Sequence, residues 1–301
     1  VDSSYLAYIA KEVLNLNPLL YVVDTGWNQK GTVDNINKVS KGLGLDIVTE
    51  VVNWEEMKDL QLAFLKSQIQ SQDLPQDHAI FAGLYNYAVR NGFKYVLTGA
   101  NTATECILPG GGWGGGNDIV LIKDIHKKFG KIKLKTFPLC GMYKYRVYYT
   151  YFRGMKRVAP LNYLPFDPIK VEEFLKERFG WEGYENKHYE NIFTRWYEGY
   201  YLYHKFGYDK RRTYFSSLIL SGNMSREETL RKLEELPYSN KQAEDDIEII
   251  ASKLGITIEE LKIIISKEPK TIQDYRNSQW AIKIGKKVAV VLGIEKRFVK
   301  I

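Results

Sequence analysis

The chain opens VDSSYLAYIAKEVLNLNPLLYVVDTGW (1–27), and the reading of this stretch decides the fold. From Tyr5 to Leu14 apolar residues recur at helical spacing. Pro18 breaks that helix, and LLYVVD (19–24) follows as a short, continuous apolar run of strand length ending on Asp24. The head of the helix carries Asp2, Ser3 and Ser4. Exposed backbone N–H groups and the helix dipole favour an anion at such an end. The two serine hydroxyls add donors, and the Asp2 carboxylate can share a magnesium ion with phosphate oxygens. Asp-Ser-Ser is also an ordinary helix cap. A chain entering on this helix reads as a motif begun halfway, with a strand and a glycine-rich turn expected before Val1.

The alternation continues downstream. NINKVSKGLG (35–44) reads as a helix stopped by glycine, DIVTEVV (46–52) as a strand, and Asp77 to Asn91 as another helix. KYVLTGAN (94–101) is a strand breaking into a polar loop. KTFPL (135–139), after Lys131 to Leu134, is expected as a further strand entering a helix near Tyr143. Helices alternating with continuous apolar strands imply an α/β fold whose parallel, doubly wound sheet is covered on both faces. Ligands of such sheets bind at the carboxyl ends of the strands. The polar clusters fall there: Asp2, Asp24, Asn101 with Glu105, and the segment after Pro138. LPGGGWGGGND (108–118), with six glycines, is too glycine-rich for a regular element and reads as a lid or a long connection beside that site.

The character changes around Pro160 to Pro168, which sets expected boundaries of 1–165 and 166–301. The second part reads as helical: VEEFLKERFGW (171–181), FTRWYEGYYLYHKFG (193–207), then SREETLRKLEEL (225–236) and TIEELKIIIS (257–266). The last two carry capping-box pairs, Ser225 with Glu228 and Thr257 with Glu260. A final helix is expected from about Thr271 towards Leu292.

The net charge of +7 suits an anionic partner such as a nucleotide, a nucleotide sugar or RNA, and equally a basic surface kept for solubility. No run approaches the roughly 20 apolar residues of a membrane helix, so no membrane insertion is expected. The two cysteines, Cys106 and Cys140, exclude a disulfide framework and fit a reducing compartment, hence an expected cytoplasmic location. Many of the 22 tyrosines fall between Tyr143 and Tyr214, where they can form a sugar-binding wall or a core with polar tips.

Four segments, in order, carry a resemblance. VDSS (1–4) resembles the tail of the SGGxDSS loop of the PP-loop ATP-pyrophosphatase superfamily (adenine nucleotide alpha hydrolase-like, of the HUP-like fold). LYVVDTGWN (20–28) resembles its second strand, whose end receives adenine and ribose. LTGANTATE (97–105) matches the G-x-x-N-x-x-E pattern of the related NAD synthetases. FPLCGMYKYRV (137–147) is similar to the P-L-x-x-x-x-K-x-x-V segment. The resemblance implies an ATP site formed by Ser3, Ser4, Asp24, Thr25, Trp27, Gly99 and Asn101. It also implies Asp2 and Glu105 as Mg²⁺ ligands, and Lys144 as the lysine that reaches the phosphates. Trp27 can stack on the nucleotide or anchor the loop.

The stretch from Gly180 to Leu230, with its runs KHYENIFTR (187–195) and KFGYDKRR (205–212), resembles the N-acetyl sugar amidotransferase family. That likeness implies an ATP-dependent enzyme of bacterial surface-polysaccharide synthesis, of the O-antigen lipopolysaccharide type. The enzyme adenylylates the acetamido carbonyl of a nucleotide-linked sugar, releases pyrophosphate, and lets ammonia displace AMP to leave an acetamidino group. Lys187, His188, Tyr189, Arg195, Lys210, Arg211 and Arg212 are the candidate anion binders for that substrate. No Cys-His-Glu arrangement is present, so ammonia is expected from elsewhere, and the resemblance implies a separate glutaminase subunit as its source. Relatives usually carry cysteine pairs upstream of the loop, which suggests a small metal-binding (zinc) ribbon in them, in a segment outside this sequence. Two rivals remain open here. A PP-loop tRNA thiolase would use Cys106 and Cys140, although the chain has no CxxC pair and no nucleic-acid module. A DNA-binding reading of IEIIASKLGITIEELKIII (247–265) follows its helix–turn–helix rhythm, although that second helix lacks clustered Arg or Gln.

Overall fold

Strand-forming runs in this chain are short, and helices supply most of the burial. The structure, a computed structural model, describes residues 1–107, 117–184, 187 and 189–291. The glycine-rich lid expected at 108–118 lies, but for its last two residues, outside them, as does His188. In the first half, α1 (Asp2–Tyr8) continues through a wide π-type turn, Ile9–Val13, into β1 (Leu20–Asp24). Then come α2 (Lys30–Leu43), β2 (Ile47–Val51), α3 (Trp54–Ser67) and α4 (Leu74–Arg90). β3 (Tyr95–Leu97), α5 (Thr102–Glu105), α6 (Ile119–Phe129), a π-helical stretch Lys144–Phe152 and β4 (Lys156–Val158) complete the strand-bearing part.

Among the described residues, the elements after β4 are helices: α7 (Pro168–Phe179), α8 (Ile192–Trp196), α9 (Leu202–Phe206) and α10 (Arg211–Leu220). α11 (Arg226–Glu234), α12 (Asn240–Leu254), α13 (Ile258–Ser266) and α14 (Gln279–Val291) follow. α2 ends where Gly44 takes the left-handed conformation, φ +60°, as the glycine stop implies. At α13 the Thr257 hydroxyl accepts from the Glu260 N–H while the Glu260 carboxylate accepts from the Thr257 N–H, the full reciprocal cap.

The described strands form two parallel pairs. β1 runs beside β2 with Leu20 opposite Ile47, and β3 beside β4 with Tyr95 opposite Lys156. Alternation along the strands explains their layering. Leu20 and Leu97 join the apolar cluster of Leu6, Ala7 and Ile9 on and just beyond α1. Their neighbours face the other way: Val96 packs with Ala82, Tyr85, Ala88 and Val89 of α4. A methyl at Gly83 of α4 would lie 3.3 Å from the Tyr21 hydroxyl and 3.4 Å from Val23 Cγ2. One helix therefore covers both pairs from one side and α4 covers both from the other.

Three expectations differ from what is found. KTFPL (135–139) is not a strand. The N–H groups of Lys135, Thr136 and Phe137 donate instead to the buried carboxylate of Glu56 on α3, at 2.6–3.0 Å. Burial alone would raise that carboxyl's pKa, but the N–H donors outweigh it and hold the pKa below the usual value. The strand beside β3 is instead KRV (156–158). The last helix starts at Gln279, because Thr271 and Asp274 cap only a single short turn, Ile272–Asp274. Third, the core does not divide at 165. Trp27, Met57, Leu60 and Phe64 from the first half share one cluster with Trp196, Ile250, Leu254, Leu261 and Tyr275. Nor does α7 stand with the later helices, since Val171 and Leu175 pack against Val39 and Leu43 of α2. Among the described residues no helix is long and apolar enough to cross a membrane.

Candidate functional site

Gly99 lies two residues beyond the end of β3, at the place where the chain passes α1. A Cβ there would lie 3.0 Å from the Asp2 carbonyl carbon and the Ser3 nitrogen, so only glycine lets the two backbones approach this closely. Asn101, buried, then caps α5: its side-chain oxygen accepts from the Thr104 N–H at 2.9 Å and from the Thr104 hydroxyl at 3.0 Å. That cap sets Thr104 and Glu105 beside the first turn of α1.

Lys187, in the stretch between α7 and α8, meets them. Its Nζ lies 2.8 Å from Glu105 Oε1, 3.4 Å from Asp2 Oδ2 and 3.0 Å from Thr104 Oγ1. The Tyr214 ring of α10 stands 5.7 Å from the same nitrogen. Burial alone would lower this ammonium's pKa, but the two carboxylates outweigh it and hold the pKa above the ordinary lysine value.

These groups sit on or beside a cavity of about 1080 Å³ between the carboxyl ends of β3 and β4, the π-helical turn at Glu198 and Gly199, and α10. Asn101, Thr104, Glu105, Arg157, Lys187, Tyr189, Lys210, Arg211 and Tyr214 are among its lining residues. α10 is fastened beside α5, since Ser217 Oγ accepts from the Ile107 N–H at 3.1 Å and the Ser221 hydroxyl donates to the Ala103 carbonyl at 3.1 Å. Lys210 pairs with Glu198 at 2.9 Å. Burial would lower its pKa, yet Glu198, aided by Asp73 and Asp77, raises it. Asp73 is pushed well above the ordinary carboxyl value by burial and then by Asp77 and Glu198. The inner end of the cleft thus has acidic partners around a lysine.

The expected residues divide by placement. Asp2, Gly99, Asn101, Glu105, Lys187, Tyr189, Lys210 and Arg211 are drawn to this one cleft or its edge. Ser3 and Ser4 occupy the first turn of α1 next to Gly99. Asp24 shapes the turn after β1 by accepting from the Gly26 N–H at 2.8 Å, and Thr25 is buried with its hydroxyl on Gln76 at 2.9 Å. Trp27 is corrected outright. Its side chain is 0% exposed, packed against Trp54 and Phe193, so its ring anchors the core and has no free face for a nucleotide. Lys144 is turned onto α4, where its Nζ donates to Asn86 at 3.0 Å, and it does not line the cleft.

Arg195 is likewise spent inside the fold, bidentate on the buried Asp246, which also accepts from the Tyr238 hydroxyl. Arg211 pairs with Asp209 and donates to the carbonyls of Lys232 and Glu235. Arg212 is exposed. Tyr189 is buried, with its hydroxyl donating to the Pro237 carbonyl at 3.2 Å. Arg157 was not foreseen, because it belongs to the unforeseen strand β4, whereas Tyr214 ends the tyrosine-rich span read as a sugar-binding wall or a core with polar tips.

The donor set around Lys187 is all oxygen, two carboxylates and a hydroxyl, which is what a hard divalent ion takes alongside phosphate oxygens. The residues present therefore fit Mg²⁺ with ATP, although no group of three His, Cys, Asp or Glu side chains able to hold a metal occurs among the described residues. Cys140 is fully buried and its thiol is pushed up to about 11 by that burial, while Cys106 is exposed. A high thiol pKa suppresses the thiolate that sulfur transfer needs. The segment 247–265 is a helix pair that packs Ile247, Ile250, Leu254 and Leu261 into the main core and leaves its other face, Ile249 and Ile263 included, exposed.

No curated protein matches the chain. Residues 190–289, from the approach to α8 through most of α14, match the family model described as LPS biosynthesis protein WbpG-like, C-terminal domain; the helical third of the chain is thus similar to a domain of lipopolysaccharide-biosynthesis proteins.

Proposed function

We propose that this chain is an ATP-dependent amidotransferase of bacterial surface-polysaccharide synthesis. On this reading a PP-loop ATP-pyrophosphatase domain activates the acetamido carbonyl of a nucleotide-linked N-acetyl sugar, and ammonia replaces its oxygen. One observation carries the reading: the carboxylates of Asp2 and Glu105 converge on one cation at the rim of a large cleft that basic and tyrosine side chains also line. The match of residues 190–289 to a lipopolysaccharide-biosynthesis domain supports the pathway class. The placement of parallel strands between α1 and α4 is in keeping with a nucleotide-binding α/β domain.

An acetamido carbonyl is a poor electrophile. Its oxygen attacks the α-phosphorus of ATP, pyrophosphate leaves, and an O-adenylyl imidate results. Ammonia adds to the imidate carbon. AMP then departs with the former carbonyl oxygen, a proton is lost, and an acetamidine remains. Backbone N–H groups and hydroxyls of Ser3 and Ser4 hold the departing pyrophosphate. Asp2 and Glu105 hold Mg²⁺, which when bound with ATP neutralises charge growing on the leaving phosphates. Lys187 and Lys210 meet the anionic groups of nucleotide and sugar carrier, and Tyr214 gives the sugar an apolar wall with a polar tip. Ammonia comes from a separate glutaminase subunit.

The test incubates the purified chain with ATP, Mg²⁺, ammonium salt and UDP- or CMP-linked acetamido sugars, with the acetyl oxygen labelled as ¹⁸O. The expected product is one mass unit lighter than the unlabelled sugar, and the label appears in AMP. Release of ADP, or label retained in the sugar product, refutes this chemistry. Turnover with glutamine alone, without added subunit, refutes the separate ammonia source.

A further inference from the structure

Lys187 occupies a position with the geometry of a bound ion. Oxygens from two elements far apart in the sequence surround its Nζ: Asp2 on the first turn of α1, and Thr104 with Glu105 on α5. The Tyr214 ring covers a further side. The ammonium thereby donates to Thr104 and Glu105 and pairs with the Asp2 carboxylate, and these are the hard oxygens a divalent cation takes. Its side chain is only 19% exposed, and so is that of Asp2, so water screens this contact weakly. Two cations do not share it readily, because an ammonium and a divalent ion at contact distance repel each other. Lys187 is carried by a flexible four-carbon stem and lines the open cleft, so the ammonium has room to leave.

We infer that Lys187 is a tethered stand-in for the divalent cation of this site. It holds Asp2 and Glu105 together and shields them from free metal, and it yields only to a cation delivered on a polyphosphate, whose negative charge then receives the displaced ammonium. This rests on the same carboxylate pair as the proposed function and adds an order of events to it: metal enters with nucleotide, not before. The tether keeps the pair from being loaded unproductively.

The experiment measures Mn²⁺ binding in the absence of nucleotide, by electron paramagnetic resonance, on the wild-type chain and on Lys187→Met. Thermal unfolding of both is followed in chelator and in Mn²⁺. Removing a like charge at contact distance is expected to tighten Mn²⁺ binding by roughly tenfold or more. The melting temperature of Lys187→Met, lowered in chelator, is expected to recover in Mn²⁺, while that of the wild type does not move. If Lys187→Met fails to fold in chelator, Lys187→Gln, which keeps a donor but not the charge, is put through the same comparison. Equal Mn²⁺ affinity in variant and wild type, or a wild type already stabilised by Mn²⁺ alone, overturns the inference. ATP–Mg²⁺ binding to the wild type is measured separately. A tightened Mn²⁺ site in a chain that binds no ATP sinks the ATP reading alone; ATP binding with unaltered Mn²⁺ affinity sinks the tether alone.

Discussion

Gly99→Ala tests whether the chain just beyond β3 really leans on the first turn of α1. The new methyl would lie 3.0 Å from the Asp2 carbonyl carbon, 3.0 Å from the Ser3 nitrogen and 3.2 Å from Asp2 Cβ. The first two of these neighbours are backbone and cannot rotate aside, so the strand end and the helix must part. Overpacking of this kind costs about 1–3 kcal/mol. Replacing glycine by alanine also restricts the unfolded chain, which returns about 0.4–1 kcal/mol. The net expectation is a destabilisation of about 1–2 kcal/mol, read from the urea midpoint at unchanged slope. Gly285→Ala, in α14 with no atom within 4 Å of its would-be Cβ, is the control. Helix propensity alone predicts the opposite sign there, about 0.5–1 kcal/mol of stabilisation. Because Asp2 and Ser3 move with the helix, ATP–Mg²⁺ affinity of Gly99→Ala is expected to fall by roughly tenfold, given how steeply site function depends on sub-ångström placement. If Gly99→Ala unfolds at or above the wild-type midpoint and binds ATP as well, the close approach is not what positions Asp2.

Three further expectations follow from the buried polar groups. Glu56→Gln turns an amide NH₂ towards N–H donors of 135–137, and a loss of about 2–3 kcal/mol is expected in chemical unfolding. The folded pKa of Glu56 is depressed, so its contribution is present above the ordinary carboxyl pKa of 4.5 and fades as pH falls below it. The wild type should therefore lose stability on acidification more steeply than Glu56→Gln, and parallel pH profiles would contradict that. With native protein at pH 8, an alkylating reagent is expected to label Cys106 and spare Cys140, as peptide mass spectrometry would show; equal labelling contradicts the burial of Cys140. Asp246→Ala leaves the Arg195 guanidinium and the Tyr238 hydroxyl without their shared acceptor, and about 3–5 kcal/mol should be lost; a wild-type unfolding midpoint would mean this network contributes nothing.

How much of this was legible beforehand depended on whether the deciding interaction was local. β1, β2, the glycine stop at Gly44 and the caps at Ser225 and Thr257 are set by residues within one turn of one another, and all appear where the pattern puts them. The grouping of Gly99, Asn101 and Glu105 was also readable, because one nine-residue segment carries them. KTFPL misled because its apolar pattern is that of a strand, while the carboxylate that takes its N–H groups is about 80 residues earlier in the chain. α3 escaped notice although it supplies Met57, Leu60 and Phe64 to the core. Trp27 looks like a surface aromatic after a strand, and only its distant neighbours Trp54 and Phe193 show it to be interior. The pairing of Lys187 with Asp2 joins residues almost two hundred positions apart, and no spacing rule reaches that far.

The shared core has a consequence for how the molecule comes apart. The Tyr275 hydroxyl donates to the Ser67 carbonyl across 208 positions, and the Lys270 N–H reaches the Gln68 carbonyl. Closures of that length are entropically expensive and form late, so assembly should be slow and the two halves should melt together in one transition. A chain cut near 165 would leave Trp27, Met57 and Phe64 facing water, and neither fragment should survive on its own, though the two mixed together have a surface on which to reassociate.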